Sequence, residues 1–181
     1  MDNIVRLNNH GVKLCTFRTD EEAISLYNIW ANDVDICQWM GTHRNVSTLD
    51  DTRQWASSHG THECRFNIIS SDDVLIGYCS VVYSPITAYI DICIGNSEYR
   101  GKGYGKKTLE TLIDFSFNQL NVNRIELSAN SKNIKAILCY KSVGFVEFGT
   151  AHESDYFDGE YCDIIMMEIL RKNYDRKECT E

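Results

Sequence analysis

The stretch Ile94-Gly95-Asn96-Ser97-Glu98-Tyr99-Arg100-Gly101-Lys102-Gly103-Tyr104-Gly105 decides the fold. It follows an alternating run at 89–94, with Ile90, Ile92 and Ile94 on one side and Tyr89, Asp91 and Cys93 on the other, the two-residue period of a strand. It opens into a segment where Leu109, Leu112, Ile113, Phe117 and Leu120 recur at i, i+3, i+4, i+8 and i+11, the period of a helix packed on one face. Alternate glycines at a strand-to-helix junction let backbone N–H groups approach an anion without Cβ obstruction. The helix N-terminus adds unsatisfied donors and partial positive charge. Arg100, Lys102, Lys106 and Lys107 place cations at the same point. The chemistry is that of a phosphate cradle.

Two familiar cradles fail on spacing. A dinucleotide loop needs G-x-G-x-x-G, but Lys106 stands three residues after Gly103 and Thr108 three after Gly105. A Walker loop needs a glycine where Arg100 stands and a Ser or Thr where Lys107 stands. What remains is R-x-x-G-x-G, at Arg100, Gly103 and Gly105. Downstream, residues 133–145 read N-x-x-A-x-x-x-Y-x-x-x-G-F, marked by Asn133, Ala136, Tyr140, Gly144 and Phe145. Ala136 and Tyr140 share a helix face, with Asn133 one turn earlier. The two patterns, in this order and separated by a helix and a strand, resemble the GNAT superfamily of N-acetyltransferases. The similarity runs from about 12 to 170, and residues 99–170 look most like the ribosomal-protein, spermidine and aminoglycoside subgroup. There the run Asp158-Gly159-Glu160-Tyr161-Cys162-Asp163 resembles a D-G-x-x-x-D hairpin.

Composition fits one soluble globular domain. The chain has 181 residues, 43% hydrophobic and 24% charged, enough for a sizeable core. We expect a single domain over 1–181, with its core at 12–170 and a charged C-terminal tail at 171–181 that frays. No run approaches the length of a membrane span, and the N-terminus has no apolar signal-peptide core. Eight cysteines stand at 15, 37, 64, 79, 93, 139, 162 and 179 without a C-x-x-C pair, so no zinc or redox motif is indicated and the expected location is cytoplasmic. A formal charge of −8 speaks against nucleic acid as a partner and suits a cationic acceptor.

In chain order, residues 12–18 read as the first strand. Asp20 caps a helix carrying Ala23, Ile24, Tyr27 and Trp30 on one face. A short helical piece follows at 33–40, and Ser47 or Thr48 caps another helix containing Trp55. Strands at 64–70 and 74–83 flank a turn at 71–73, and a fifth strand at 124–129 lies parallel to 89–94 across the helical crossover. A helix at 133–143 stops at Gly144, and strands at 145–152 and 161–170 pair through Asp158-Gly159. The resulting fold class is α/β: one mixed, mostly antiparallel sheet with helices on both faces, in which the resemblance implies a splayed central parallel pair.

The resemblance implies acetyl-CoA as cosubstrate, with no metal. Pantetheine would enter the wedge between the splayed strands and pair with backbone of Ile92, Cys93 and Ile94, where an N–H polarises the thioester carbonyl. The pyrophosphate would sit on the N–H groups of Arg100, Gly101, Lys102, Gly103, Tyr104 and Gly105. Asn133 would bond the pantetheine arm, unless it merely caps its helix. Tyr140 would protonate the departing thiolate, unless it is a core aromatic. Asp91 is the proposed general base; an ion pair with a neighbouring helix, or exposure at the sheet margin, is its plainer explanation. Glu63, Glu126 and Glu153 are competitors for that task. Transfer is direct, in a ternary complex, to a primary amine of a protein N-terminus, a polyamine, an aminoglycoside or a small metabolite. A route through an acylated Cys93 or Cys139 is a minor alternative without a histidine placed to activate it. From another class, a non-catalytic acetyl-CoA sensor or assembly module would keep the same fold. A homodimer through the edge of the C-terminal hairpin is the candidate assembly.

Overall fold

The structure is a computed structural model describing residues 4–40 and 46–178. Cys179 and the last residues of the anticipated tail therefore lie outside the described residues.

The alternation of apolar and polar residues builds eight strands into one sheet. They are β1 (Val5–Asn9), β2 (Val12–Thr16), β3 (Glu63–Ile69), β4 (Leu75–Tyr83), β5 (Thr87–Ile94), β6 (Arg124–Asn130), β7 (Val146–Phe157) and β8 (Glu160–Leu170). Their order is β1-β2-β3-β4-β5-β6-β8-β7, and β5–β6 is the parallel pair. Among the described residues there are also six α-helices, α1 (Glu21–Ala31), α2 (Val34–Cys37), α3 (Leu49–Ser57), α4 (Tyr104–Asn118), α5 (Ile134–Val143) and α6 (Arg171–Glu178), and a short 3-10 turn at Ser97–Tyr99. The β7–β8 turn holds Asp158 at φ 49 and Gly159 at φ 84, the pair of positive angles that a tight hairpin requires.

Each sheet face buries its own core. On one, Leu14, Ile68, Val81, Ile90 and Ile125 pack against Leu109, Leu112 and Phe117 of α4. On the other, Cys15, Ile69, Leu75 and Cys93 pack against Ala23, Tyr27 and Trp30 of α1 and Ile36 of α2. Adjacent residues such as Leu14 and Cys15 enter different cores because side chains alternate along a strand.

Two expectations need correction. Strand β1 precedes the expected first strand, joined to β2 by a turn with His10 at φ 52 and Gly11 at φ 77. Its short, polar sequence Val5-Arg6-Leu7-Asn8-Asn9 carries little strand signal, and pairing with β2 supplies what propensity lacks. The tail is likewise no frayed end over 171–178, because α6 docks on α4. The Tyr174 hydroxyl donates to Asp114 Oδ1 at 2.8 Å, and its ring lies 4.9 Å from that of Phe117. Arg171 Nε donates to Val122 O at 3.0 Å. Strand β7 also runs on to Phe157, past irregularities at Glu147/Gly149 and Ala151/Asp155.

Candidate active site

Strand β5 lies mid-sheet, yet its pairing with β6 covers only Thr87–Tyr89 against Arg124–Glu126. Beyond Tyr89 it continues to Ile94 in register with β4 alone, while β6 continues beside β8. The two strands thus part into a wedge. A hydrogen bond of 2.6 Å between the hydroxyls of Tyr89 and Ser128 spans its closed end. Ile92, Cys93 and Ile94 line a cavity of about 1070 Å³ that the wedge opens into.

The glycine loop forms one wall. Gly101 and Gly103 adopt φ 73 and 85, and a Cβ on either would meet nothing within 4 Å. Glycine is therefore needed there for backbone conformation, beside open space. Side chains cap α1, α2, α3 and α5: Asp20, Asp33, Thr48 and Asn133. Helix α4 begins at Gly103 with no side-chain cap, so the donors of its first turn stay available to an anion. Gly101, Gly103, Gly105 and Lys106 line the cavity. This combination of open space, uncapped N–H groups and nearby cations fits a pyrophosphate.

Arg100 behaves differently from the other cations. Its guanidinium turns inward, donating from Nε to Ile94 O at 2.9 Å and from Nη2 to Gly95 O at 2.8 Å. The same Nη2 reaches Asp33 Oδ2 at 3.1 Å. Lys102 and Tyr104 stand outside the cavity lining. Lys102 Nζ lies 5.6 Å from the Tyr99 ring, and the Tyr104 hydroxyl meets Ser71 Oγ at 3.1 Å.

Helix α5 supplies the opposite wall with Asn133, Ala136 and Tyr140. Asn133 Oδ1 accepts from Ala136 N at 3.2 Å, so the cap is formed while the residue still borders the cavity. Burial pushes the Tyr140 hydroxyl well above its ordinary pKa, and Cys139, Asp91 and Tyr89 push the same way. The phenol therefore keeps its proton throughout the neutral range.

Asp91 points to the α1 face. It is solvent-reachable rather than covered, unlike the covered position its central strand suggests. Even so, surrounding protein raises its carboxyl above the usual range, with the Glu63 charge adding to the shift. Among its competitors, Glu63 is held in a fork by Arg65, at 2.5 and 3.1 Å, and takes the Gly60 N–H at 3.0 Å. Burial pulls the Glu63 carboxyl up, but these bonds outweigh it and the net shift is downward. Glu126 pairs with Arg124 at 2.7 Å. Glu153 sits exposed in the irregular part of β7 at φ 50. Asp91 makes no ion pair among the described residues. Cys93 is 5% exposed; burial pushes its thiol up to about 11, partly offset by a hydrogen bond with Tyr78. Burial also raises Cys139. Both are thiols near neutrality, the unreactive form.

The third wall carried no motif. Ile36, Trp39 and Met40 line the cavity, and the Trp39 ring stacks on Phe157 from the β7–β8 hairpin at 4.5 Å and 15°. Behind them lies an aromatic cluster: Phe17 stacks on Tyr27 at 5.1 Å, and Trp55 meets Tyr78 at 5.1 Å. Gly95, inside the quoted stretch, is fixed from this side, since a Cβ there would lie 2.0 Å from Trp30 Cδ2. Gly77 of β4, opposite Ile94 in register, is fixed from the strand side, where a Cβ would meet Cys93 O at 2.1 Å. In the sequence, Trp30 and Trp55 read only as helix residues and nothing singles out Trp39. Among the described residues, no group of three His, Cys, Asp or Glu side chains is placed to hold a metal. No helix of the described residues is long and apolar enough to cross a membrane.

Known proteins share this arrangement. The chain is 33% identical to the spermidine N(1)-acetyltransferase of Vibrio cholerae serotype O1 over 119 residues, covering 64% of this chain and 68% of the relative. It is 28% identical to an aminoglycoside N(6')-acetyltransferase type 1 of Klebsiella pneumoniae over 168 residues, covering 84% and 83%. A crystal structure of spermidine N-acetyltransferase from Vibrio cholerae in complex with CoA and spermine superposes with a TM-score of 0.81 at 26% identity, covering 92% of this chain and 99% of that one. A dodecameric structure of spermidine N-acetyltransferase from the same organism superposes at 0.75 with 25% identity, covering 92% and 97%. Residues 12–146, which carry the wedge, the glycine loop and α5, match the acetyltransferase (GNAT) domain, and the chain belongs to the GNAT acetyltransferase family.

Proposed function

We propose that this chain transfers an acetyl group from acetyl-CoA to a primary amine on a small cationic acceptor, of the polyamine or aminoglycoside kind. The observation that carries the proposal is the meeting of three features in one cavity: the β5 wedge, the uncapped glycine loop and the Tyr140 phenol. Backbone of Ile92–Ile94 has no β6 partner in register and suits an extended pantetheine arm. The loop N–H groups from Gly101 to Gly105 suit its pyrophosphate, whereas the Arg100 N–H, also expected there, is already given to Ser97 O at 3.2 Å.

Asp91, raised and unpaired, removes a proton from the acceptor ammonium. The freed amine attacks the thioester carbonyl, and a β5 N–H steadies the oxyanion. The intermediate collapses with cleavage of the C–S bond; Tyr140 gives its proton to the departing sulfur, and the second proton of the attacking nitrogen passes to the Tyr140 phenolate and restores the phenol. The products are an N-acetyl amide and the CoA thiol. A negative overall charge concentrates a cationic acceptor near the surface.

The seven described cysteines are free thiols, which suits a reducing, cytoplasmic setting. The outer edge of β7, with Val146 and Phe148 exposed, is the surface through which we expect copies to pair; sedimentation at graded concentration reads this. The function itself is tested by incubating the protein with acetyl-CoA and a panel of amines, with mass detection of acetylated product. Acetylation of a polyamine or aminoglycoside is expected. Tight acetyl-CoA binding with no product from any amine would instead make the chain a sensor.

A further inference from the structure

We propose that the Arg100–Asp33 ion pair is a latch between the two substrate sites, with Arg100 a positioning residue rather than a phosphate ligand. This inference rests on the glycine loop binding CoA, as proposed above.

The geometry assigns each end of the latch a task. At the loop end, one guanidinium gathers Ile94 O and Gly95 O at 2.9 and 2.8 Å. These carbonyls terminate the strand whose backbone faces the wedge, so the side chain sets the angle at which β5 leaves for the glycine loop. At the other end, the Asp33 carboxylate divides its oxygens. Oδ2 takes the Arg100 Nη2 at 3.1 Å, while Oδ1 caps α2 by accepting from Asp35 N at 2.9 Å. The following backbone turns without a break, Trp39 N donating to Ile36 O at 2.9 Å and Met40 N to Cys37 O at 3.2 Å. It ends at Trp39, which lines the cavity and stacks on Phe157. Asp33 does not itself line the cavity. One ion pair thus fixes the loop that receives CoA and the aromatic wall across from it. Its two side chains are only 29% and 32% exposed, so solvent screens the pair incompletely.

Asp33→Asn separates the latch from the alternative by sign. Asparagine is as good a helix cap as aspartate, so the substitution removes the charge and spares α2. If the guanidinium were a pyrophosphate ligand held back by Asp33, removing the carboxylate would free it and tighten CoA. Loss of a negative charge beside a polyanion favours tightening as well. The latch requires the opposite: CoA binding, measured by calorimetry on the full chain, should weaken about two- to fivefold, the range a partly exposed ion pair supports. The Trp39 signal of fluorotryptophan-labelled protein, assigned through Trp39→Phe, should shift in Asp33→Asn. Unchanged or tighter CoA binding in Asp33→Asn overturns the latch, as does an unmoved Trp39 signal. Wild-type protein that binds no CoA refutes the proposed function itself and takes the latch with it.

Discussion

The two sides of the central wedge are built from different materials. On the glycine-loop side the working groups are main-chain donors, arranged by a strand end, two left-handed glycines and an uncapped helix. All of these lie within one short, continuous run of sequence. On the other side the surface is made of side chains, Ile36, Trp39 and Met40, backed by rings from distant segments, with Phe157 of the hairpin stacked on Trp39 and Tyr78 of β4 against Trp55; Asp91 of β5 stands outside this lining. A main-chain site tolerates change in side chains wherever glycine geometry survives, whereas a side-chain site changes with each substitution. Relatives are named for acceptors as unlike as spermidine and an aminoglycoside.

The sharpest way to break this comparison is Tyr140, the side chain on which the loop side depends. Its raised pKa keeps the phenol neutral, and phenylalanine preserves the ring while removing the proton. Tyr140→Phe should lower kcat by about 10²–10⁴, the usual range for a general acid. The KM for acetyl-CoA should change little, because the lost interaction belongs to the transition state. A kcat within about twofold of wild type, with chemistry rate-limiting, would make Tyr140 a packing residue.

Asp91 tests the acceptor side through pH. Its carboxyl is raised, so the basic form appears only above the ordinary carboxylate range, and kcat/KM should climb as pH rises through the shifted value. Asp91→Asn should cost about 10²-fold near neutrality and erase that acid limb. Finding the same limb in the variant would assign the proton to another group.

A pair of glycines in the same stretch sharpens the contrast further. Gly103→Val meets open space and a left-handed backbone angle. It should cost roughly 1–2 kcal/mol in stability, leave native circular dichroism, and weaken acetyl-CoA binding by about tenfold or more. Gly95→Ala drives a methyl group into Trp30 and should lower unfolding stability by about 1–3 kcal/mol through overpacking. If Gly95→Ala denatures like wild type in urea, the Trp30 contact does not set that position.

The smallest effect lies furthest from the chemistry. Arg18 bonds Asp20 through two hydrogen bonds of 2.7 Å and holds its carboxyl down to about 2. A depressed carboxyl stabilises the fold fully above its unfolded pKa of about 3.9 and loses that contribution as pH falls toward 2. Asp20→Asn keeps the α1 cap and should cost roughly 1 kcal/mol at pH 7, discounted for partial exposure. The gap to wild type in urea unfolding should narrow between about pH 4 and pH 3. A gap constant over that interval would show that the charge contributes nothing.

The legible parts were those in which neighbouring residues cooperate. The R-x-x-G-x-G spacing, the period of α4 and the Asn133–Tyr140 pattern each state a local geometry, and the strands from β3 to β8 followed from alternation. Strand β1 escaped because its polar residues gain stability only from β2 across the turn. Helix α6 escaped because its charged sequence hides one docking residue, Tyr174. The inward turn of Arg100 was equally invisible: beside three glycines a guanidinium reads as a phosphate ligand, until Asp33 arrives from 67 positions away.

By itself, then, the sequence determined where the chain bends, which helix starts without a cap and which residues share a helix face, since these depend on contacts a few residues apart. Tertiary structure alone decided at which residue the expected splay of β5 from β6 begins, that Gly95 must clear Trp30, and that among the described residues Asp91 makes no ion pair while Glu63 and Glu126 are held by arginines. Each of those outcomes depends on which distant side chain fills a particular space. That is settled by close packing of the whole molecule, which no local run of residues records.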